Sequence, residues 1–321
     1  MKEIINMKLK TLILTIALIL GASTNIFAQP GAVKKAADAA FTLTTFKADG
    51  SILATSNGVC ISTDGIAVSP WKPFIGADKA VIIDAKGQKH EVECLLGANE
   101  IYDIVKFQVS GKTVAAPLAT TVSAGDEAWV TPMSKGGNAE KADVSSVEKF
   151  MDKYNYTILK SSATDKLNGA PVFNTKGQVI GLFNSAGESQ SSTDANYAKD
   201  FIVKGLSQND ITLRQSAIRI GLPNTIEEAV VALMLSSEKP AYIHEAVVNE
   251  FITKFPQAND GYYALANLQI AKGEVANADK TMQTAISKVA AKDEAHYNYA
   301  RLIYRNALIQ EFAEKTKSVG W

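Results

Sequence analysis

The hydrophobic periodicity of this 321-residue chain changes once, and the change separates two classes of secondary structure. Before about residue 206, apolar residues occur in short alternating runs separated by turn residues such as Asp64 and Gly65. Alternation with a period of two predicts β-strands. From Thr225 onward, apolar residues recur three or four positions apart, as at Ala229 and Leu233, which predicts helices. We therefore expect a multidomain chain in which an all-β part precedes an all-α part.

The all-β part, residues 29–206, contains two sets of predicted short strands. The first set lies at 41–46, 52–55, 58–62, 66–69, 80–84, 90–96 and 104–109, and the second at 127–131, 142–147, 156–160, 172–173, 179–183 and 195–198. The sequence also predicts a polar loop at 185–194, a closing helix over 201–206 capped by Asp200, and a linker at 207–224. Two consecutive sets of close-turning strands predict two antiparallel barrels packed together.

The N-terminal segment has the pattern of a secretory signal peptide. Lys2, Lys8 and Lys10 precede the apolar run 11–20, and small residues follow as far as Ala28. The alternative is a retained membrane anchor, but the apolar run is short for a membrane span, and no cysteine lies near the predicted cut to carry a lipid. We expect residues 1–28 to be removed and the mature protein to be secreted, to the periplasm, without a stable membrane anchor.

Charge and metal-ligand patterns exclude several classes of partner. Lysine plus arginine and aspartate plus glutamate both number 33, with no basic block, so a nucleic acid partner is not expected. His90, His244 and His296 show no ligand spacing with the two cysteines, so neither a metal nor another cofactor is expected. An oxidising compartment permits a disulfide between Cys60 and Cys94, and buried free thiols fit the sequence equally well.

The all-α part, residues 225–321, contains an internal repeat. Residues 261–270 superpose on 295–304 at a spacing of 34, counted from Ala266 to Ala300. This period and its small and large residues resemble the tetratricopeptide repeat, which implies stacked helical hairpins with one face available to a peptide. The resemblance is carried by Tyr262, Leu265, Ala266, Gly273, Ala278, Met282 and Ala285.

Two expectations follow from the repeat. The candidate peptide-binding residues are Tyr262, Tyr263, His296, Tyr297 and Tyr299, and the alternative for them is packing between helices. Phe312 falls where the pattern has a small alanine, so we expect an irregular last hairpin. Trp321 is predicted to be an exposed aromatic, with the hairpin capped irregularly or by a partner.

Four stretches of the all-β part resemble trypsin-like serine peptidases of the Deg (high-temperature-requirement) type. Residues 58–65 (GVCISTDG) are similar to G-F-I-I-S-x-D-G, and residues 102–105 (YDIV) are similar to T-D-I-A. Residues 169–181 (GAPVFNTKGQVIG) are similar to G-G-P-L-V-N-x-x-G-x-V-I-G, and 166–171 (KLNGAP) to G-N-S-G-G-P. The resemblance covers about residues 40–206 and implies a trypsin-like double β-barrel.

The same resemblance implies that the catalytic triad is degenerate. Peptide hydrolysis by this route needs a serine nucleophile, a histidine base, an aspartate that orients the histidine, and backbone N–H groups for the oxyanion. Asp103 matches the aspartate, but Lys72 replaces the histidine and Asn168 replaces the serine. Lys166 replaces the glycine whose N–H helps to form the oxyanion hole. No catalytic site is therefore expected to be intact.

Several interpretations of the site remain open at this point. Lys72 and Asp103 are either two solvated charges or an ion pair that fills the vacated cleft. A dyad of Lys72 with Ser161 or Ser162 is the basis of a rearranged active site. The leading hypothesis is an exported, inactive peptidase homologue that binds a peptide or protein, in the helical face or by strand addition in the old cleft. The alternatives are an active serine-type endopeptidase with a rearranged site and a structural module without a ligand.

Overall fold

The computed structural model describes residues 29–133 and 139–321, so the predicted signal peptide at 1–28 lies outside the described residues. The described part begins with a short helix, α1 (Gly31–Ala36), that leads into the first strand. Within these ranges, no helix combines the length and the apolar composition needed to cross a membrane.

Six strands close into the first barrel. They are β1 (Ala40–Phe46), β2 (Ile52–Cys60), β3 (Ile66–Ser69), β4 (Lys79–Asp84), β5 (Lys89–Asn99) and β6 (Ile104–Val109). Their order around the barrel is β1-β2-β3-β6-β5-β4, and antiparallel pairing of β1 with β4 closes it. Phe41, Phe74 and Phe107 fill the core, with the rings of Phe41 and Phe107 edge to face at 6.0 Å.

Six further strands close into the second barrel. They are β7 (Glu127–Val130), β8 (Glu140–Phe150), β9 (Tyr154–Ser161), β10 (Pro171–Asn174), β11 (Val179–Ala186) and β12 (Ser189–Thr193). Their order is β10-β11-β12-β9-β8-β7, closed by antiparallel pairing of β10 with β7. Two consecutive closed barrels confirm the predicted trypsin-like double barrel.

The last strand of the second barrel lies where the sequence predicted a polar loop, so the loop at 185–194 is wrong. β11 continues to Ala186 and turns directly into β12. Ser191, Ser192 and Thr193 are buried, and Ser191 accepts a hydrogen bond of 2.8 Å from the Tyr156 hydroxyl. Apolar alternation did not predict this strand, because the strand buries hydroxyl groups and not apolar side chains.

The predicted strand at 195–198 is also wrong, because these residues form a short helix, α2 (Ala195–Lys199). Asp194 caps it, accepting a hydrogen bond of 2.8 Å from the Asn196 backbone N–H. Asp200 therefore follows a helix and does not start one, and residues 201–204 have no regular secondary structure. The predicted cap at Asp200 is therefore wrong, and Asp194 is the capping residue.

The predicted linker at 207–224, called the strap below, packs against the first barrel. Leu213, Ile218 and Ile220 belong to the core of that barrel. Leu95 donates its N–H to the carbonyl of Arg219 at 2.9 Å, and Gly221 donates to the carbonyl of Leu95 at the same distance. The strap thus extends the barrel along β5 and brings the helices close to it.

The remainder of the chain is helical. Its helices are α3 (Ile226–Ser236), α4 (Ala241–Lys254), α5 (Asn259–Ala271), α6 (Val275–Lys288), α7 (Lys292–Asn306) and α8 (Ala313–Ser318). Ala232 and Ala266, 34 residues apart, are both fully buried, which lets neighbouring helices approach closely. Ala300, at the same spacing, is exposed. That the hairpins are tetratricopeptide-like stays a prediction.

The final hairpin is irregular. A 3₁₀ turn at Gln310–Phe312 leads into α8, which has 6 residues where α6 has 14. The prediction that Trp321 is an exposed aromatic is wrong, because its indole Nε1–H donates to Asp279 Oδ1 at 3.0 Å and its ring lies edge to face with Tyr299. The chain's own tryptophan therefore covers this hairpin.

Cys60 and Cys94 are free and buried, so the possible disulfide is not formed. The two residues lie on β2 and β5, which are separated by β3 and β6 around the barrel. At about 4.8 Å between neighbouring strands, that separation exceeds the reach of a disulfide. Burial raises the pKa of both thiols to about 12.

We expect both thiols to be unreactive in the folded protein. A pKa of about 12 leaves about one thiol in ten thousand ionised at pH 8, and the thiolate is the reactive form. Titration with Ellman's reagent should therefore find no thiol in the native protein and both in guanidinium chloride without reductant. A fast-reacting native thiol, or no thiol after unfolding, would contradict this arrangement.

Candidate functional site

The three triad-equivalent residues lie in loops at the ends of strands. Lys72 begins a 3₁₀ turn, Lys72–Phe74, that follows β3. Asp103 lies in the turn between β5 and β6 with a φ of 47°, in the left-handed region. Asn168 follows the 3₁₀ turn Asp165–Leu167 and precedes β10. The first two residues belong to the first barrel and the third belongs to the second.

Gly169 is the point at which the loop of the second barrel touches the first. Its φ is +83°, and a Cβ atom there would lie 2.6 Å from the carbonyl oxygen of Asn57 and 2.7 Å from Cδ of Pro70. Pro70 stands two residues before Lys72. The structure therefore brings the Asn168 loop beside the segment that carries Lys72.

Lys72 and Asp103 form an ion pair. The backbone N–H of Lys72 donates to Asp103 Oδ1 at 2.8 Å, and its Nζ lies 3.7 Å from Oδ2. The Lys72 side chain is 75% exposed, so the pair is solvated and does not fill a buried cleft. Exposed pairs contribute about 0–1 kcal/mol to stability. An ammonium group also has no acceptor site, so Lys72 in this pair cannot take a proton from a nucleophile.

The side-chain amide of Asn168 is bound to the backbone of β11. Its Oδ1 accepts from the Ser185 N–H at 2.7 Å, and its Nδ2 donates to the Ser185 carbonyl at 3.3 Å. We call this pair of bonds the Asn168 clamp. Next to it, the Gly169 N–H donates to the Phe183 carbonyl at 2.8 Å, and the Phe183 N–H donates to Ala170 at 2.9 Å.

The Asn168 clamp closes the edge of β11 to strand addition. Alternate residues of a strand direct their N–H and C=O groups to the same side, so Phe183 and Ser185 share one edge. An added peptide would have to pair with these groups. They are already bonded to the chain's own loop, so the described structure does not support the predicted strand addition in the old cleft.

The backbone N–H of Asn168, the residue predicted to replace the nucleophile, is also hydrogen-bonded. The Asn168 N–H donates to the Asp165 carbonyl at 3.0 Å inside its own turn. Asn57 Nδ2 donates to the carbonyl of Asn168 at 3.0 Å and lies 3.5 Å from that of Lys166, which ties the turn to β2. The Lys166 side chain is exposed. An oxyanion at this position would have no free Asn168 N–H to bind.

The described residues contain neither the predicted lysine–serine dyad nor a metal cluster. The Ser161 hydroxyl donates to Gln190 Oε1 at 2.9 Å, and the Ser162 hydroxyl donates to Glu140 Oε2 at 2.7 Å, so neither serine is paired with Lys72. Within residues 29–133 and 139–321, no cluster of three or more histidine, cysteine or acidic side chains is placed to hold a metal ion.

The five aromatic and histidine candidates of the helical part fall into three groups. Tyr262 and Tyr299 pack between helices, with their hydroxyls bonded to the Pro256 carbonyl and to Asp279 Oδ1. His296 and Tyr297 are exposed on α7. Tyr263 lines a groove. The structure therefore does not bring the five together as one site.

The groove that contains Tyr263 is formed mainly by α3 and α5, with Asn298 of α7 at its edge, and has a volume of 390 Å³. Leu233, Met234 and Leu268 give it an apolar lining, and His244 of α4 lies at its side. The Nδ1 of His244 lies 2.7 Å from Ser236 Oγ, and burial lowers the pKa of this histidine below its ordinary value.

The sequence pattern did not indicate that α3 and α4 line this groove. The self-match of residues 261–270 and 295–304 does not reach the first hairpin, because only small residues are shared with it. One signal was available, since Ala232 stands 34 residues before Ala266. At that spacing, Ala232 of α3 corresponds to Ala266 of α5 in the predicted repeat.

Comparisons with known proteins find similar solved structures but no match in sequence. No family model matches the sequence, and no curated protein matches it. Among solved structures, the chain is similar to an HtrA-type protease AlgW with tripeptide, at 18% identity and a TM-score of 0.45. The match covers 53% of this chain and 60% of that one, so it spans less than two thirds of that protein's chain. The two closed six-stranded barrels establish the fold.

The Asn168 clamp can be tested by substitution. Asn168→Ala removes two hydrogen bonds and should lower the free energy of unfolding by about 1–3 kcal/mol. Asn168→Asp keeps the acceptor for the Ser185 N–H but sets a carboxylate oxygen against the Ser185 carbonyl, so it should not restore stability. Urea denaturation measures both effects. Asn184→Ala, at an exposed neighbouring position, is the control and should change stability by less than about 0.5 kcal/mol. Equal losses for Asn168→Ala and Asn184→Ala would contradict the clamp.

Proposed function

We propose that this chain is an exported, catalytically inactive homologue of trypsin-like peptidases that binds a peptide or protein segment through its helical hairpins. The observation that carries the proposal is the Asn168 clamp. The residue at the nucleophile position joins two backbone segments of its own barrel, which is a structural task and not a chemical one.

Three requirements of the acyl-enzyme route are absent together. An amide side chain is not a useful nucleophile, and that of Asn168 is bonded at both ends. Lys72 in place of the base is an ammonium donor paired with Asp103. The Asn168 N–H is bonded within its own turn and does not stabilise an oxyanion. Restoring one of these features would leave the other two missing.

The groove between α3 and α5 supports the binding role. Its volume of 390 Å³ is within the range of about 300–1,000 Å³ typical of ligand sites. Met234 is 68% exposed at this groove, so its side chain is accessible to a ligand there. Polar groups of Ser237, Asp260 and Asn298 also line it. This mixture suits a segment that places an apolar side chain in the groove and its backbone along the polar groups.

Sequence features alone support the proposed location and partner class. The predicted signal peptide at 1–28 supports export to the periplasm. The balance of 33 basic and 33 acidic residues supports a protein or peptide partner and not a nucleic acid.

An active-site probe tests the catalytic half of the proposal. Purified protein is incubated with a fluorophosphonate, which labels activated serines, with trypsin as the positive control. We expect no specific labelling. A label on one serine that is abolished by changing that serine to alanine would establish the alternative, an active serine-type endopeptidase with a rearranged site.

Capture with matched groove variants tests the binding half. Met234→Glu places a charge in the groove at an exposed position, and Tyr304→Glu places one on α7 at a position that is 78% exposed and outside the groove. We expect partners captured from a periplasmic extract by the wild type and by Tyr304→Glu to be lost with Met234→Glu. Equal capture by both variants would exclude the groove, and empty capture by the wild type would favour a structural module.

A further inference from the structure

A second cavity lies away from Lys72, Asp103 and Asn168, where the first barrel, the strap and the helices meet. It has a volume of 620 Å³, and none of Lys72, Asp103 and Asn168 lines it. Its walls come from β3, β5 and β6, from residues 201–203, from the strap and from α4. A cavity of this size at a junction between domains is where small-molecule sites usually occur.

The cavity has an apolar wall. Ile66 and Leu96 of the first barrel, Phe201 and Val203 of the segment after α2, and Leu222 of the strap supply it. Filling such a wall with an aliphatic group removes apolar surface from water, at about 25 cal/mol for each Å². The wall therefore favours a ligand with an apolar body.

The charged residues at the cavity have an excess of positive charge. Lys106, Lys199 and Lys254 line it against one carboxylate, that of Glu250, which is paired with Arg219. In the part of the chain that the structure describes, none of these three lysines has an ion-pair partner within 4 Å. A ligand with one negative charge would offset this excess.

The lysine contacts leave donor hydrogens for such a ligand. Lys106 Nζ donates to the backbone carbonyls of Lys199 and Phe201, and Lys254 Nζ donates to the carbonyl of Leu222 at 3.0 Å. Carbonyl oxygens carry no net charge, and each ammonium group has three hydrogens. The Asp200 carboxylate also acts electrostatically on Lys106, but it already accepts hydrogen bonds from Lys153 and Tyr154.

Two amide side chains in the lining have no hydrogens left for a peptide. Both amide hydrogens of Gln108 are used, by the carbonyls of Asp64 and Val109. Both of Asn196 are used, by the Ala119 carbonyl and Asp194 Oδ1. A peptide would bury backbone groups that need such partners, whereas an acyl chain has none to satisfy.

We propose that this cavity binds a small apolar monocarboxylate of the fatty-acid type. The acyl chain packs against the wall of Ile66, Leu96 and Phe201, and the carboxylate lies among Lys106, Lys199 and Lys254. The site is separate from the helical groove, and it does not depend on whether the groove binds a peptide.

Calorimetric titration with decanoate, below its micelle concentration, tests this site in the mature protein. The neutral analogue is decan-1-ol, and the peptide arm is an acetylated Leu-Leu-Phe with a free carboxylate. We expect decanoate to bind at least tenfold more tightly than either compound. Equal affinity for decan-1-ol, tighter binding of the peptide, or no binding of decanoate would each overturn the proposal.

A pair of charge-matched variants tests the location. Lys199→Gln/Lys254→Gln removes two exposed positive charges at the cavity, and Lys280→Gln/Lys288→Gln removes two exposed ones on α6, away from it. Glutamine at 254 keeps a donor for the Leu222 carbonyl. We expect the first pair to weaken decanoate binding at least tenfold and the second to leave it unchanged. Equal effects of the two pairs would overturn the assignment, because the attraction would then come from net charge alone.

Discussion

Replacing Gly169 with alanine is expected to lower the free energy of unfolding by about 2–4 kcal/mol. The backbone there has a φ of +83°, which costs an L-residue about 1–2 kcal/mol. The new Cβ atom would also lie 2.6 Å from the Asn57 carbonyl oxygen and 2.7 Å from Pro70 Cδ, so the two barrels would have to separate locally. The cost is large because backbone and a rigid proline ring form the contact, and neither has a rotamer to change.

Gly187→Ala is the matched control for this substitution. Gly187 has a φ of +63°, and a Cβ atom there would meet nothing within 4 Å, so only the conformational cost applies. Urea denaturation of both variants separates the two effects. The excess loss in Gly169→Ala measures the contact between the barrels, and equal losses in the two variants would contradict it.

The sequence predicted the barrels where their strands follow apolar alternation. The predicted bounds of β1 and β6 agree with the structure to within one residue, because buried and partly exposed residues alternate along most of each strand. β12 was missed because it buries Ser191, Ser192 and Thr193, and hydroxyl groups carry no hydrophobic signal. The sequence predicts a linker at the strap because the alternating run Ile218-Arg219-Ile220 is too short to indicate a strand by itself.

The candidate site was predictable in its residue identities but not in its bonding. Counting positions along the resembling motifs placed Lys72 and Asn168 in register with a histidine and a serine. The partner of Asn168 is Ser185, 17 residues away, and it donates and accepts through backbone atoms that carry no residue-specific signal. Whether the old cleft was open could therefore be decided only from the folded chain.

The second large effect is expected at the ion pair between Arg219 and Glu250, which joins the strap to α4. Their side chains are 19% and 27% exposed, and Glu250 Oε1 also accepts from the Leu222 N–H at 3.4 Å. Arg219→Met leaves a carboxylate unpaired in a partly buried place, and Glu250→Gln leaves a guanidinium unpaired. Each should cost about 1–3 kcal/mol, less than the 3–5 kcal/mol of a fully buried pair because water reaches the site.

The double variant Arg219→Met/Glu250→Gln leaves no unpaired charge, so it should lose less stability than the sum of the two single variants. Glu245→Gln is the matched control on the same helix, because Glu245 is paired with Lys272 and both are more than 40% exposed. It should cost at most about 1 kcal/mol. Additive losses in the double variant, or equal losses for Glu250→Gln and Glu245→Gln, would contradict a coupled pair.

Cys94 reports whether the pair holds the strap against the barrel. Its Sγ would lie 3.0 Å from a Cβ atom on Gly221, so the strap covers this thiol, whereas Cys60 belongs to the core cluster inside the barrel. In Arg219→Met, local opening of the strap should raise the rate at which Ellman's reagent modifies Cys94 under native conditions and leave Cys60 protected. Peptide mapping of the labelled protein distinguishes the two thiols. Modification of both thiols at the same rate would mean that the whole chain has unfolded and that the strap has not opened by itself. Modification of neither thiol would mean that the apolar residues hold the strap in place and that the ion pair does not contribute.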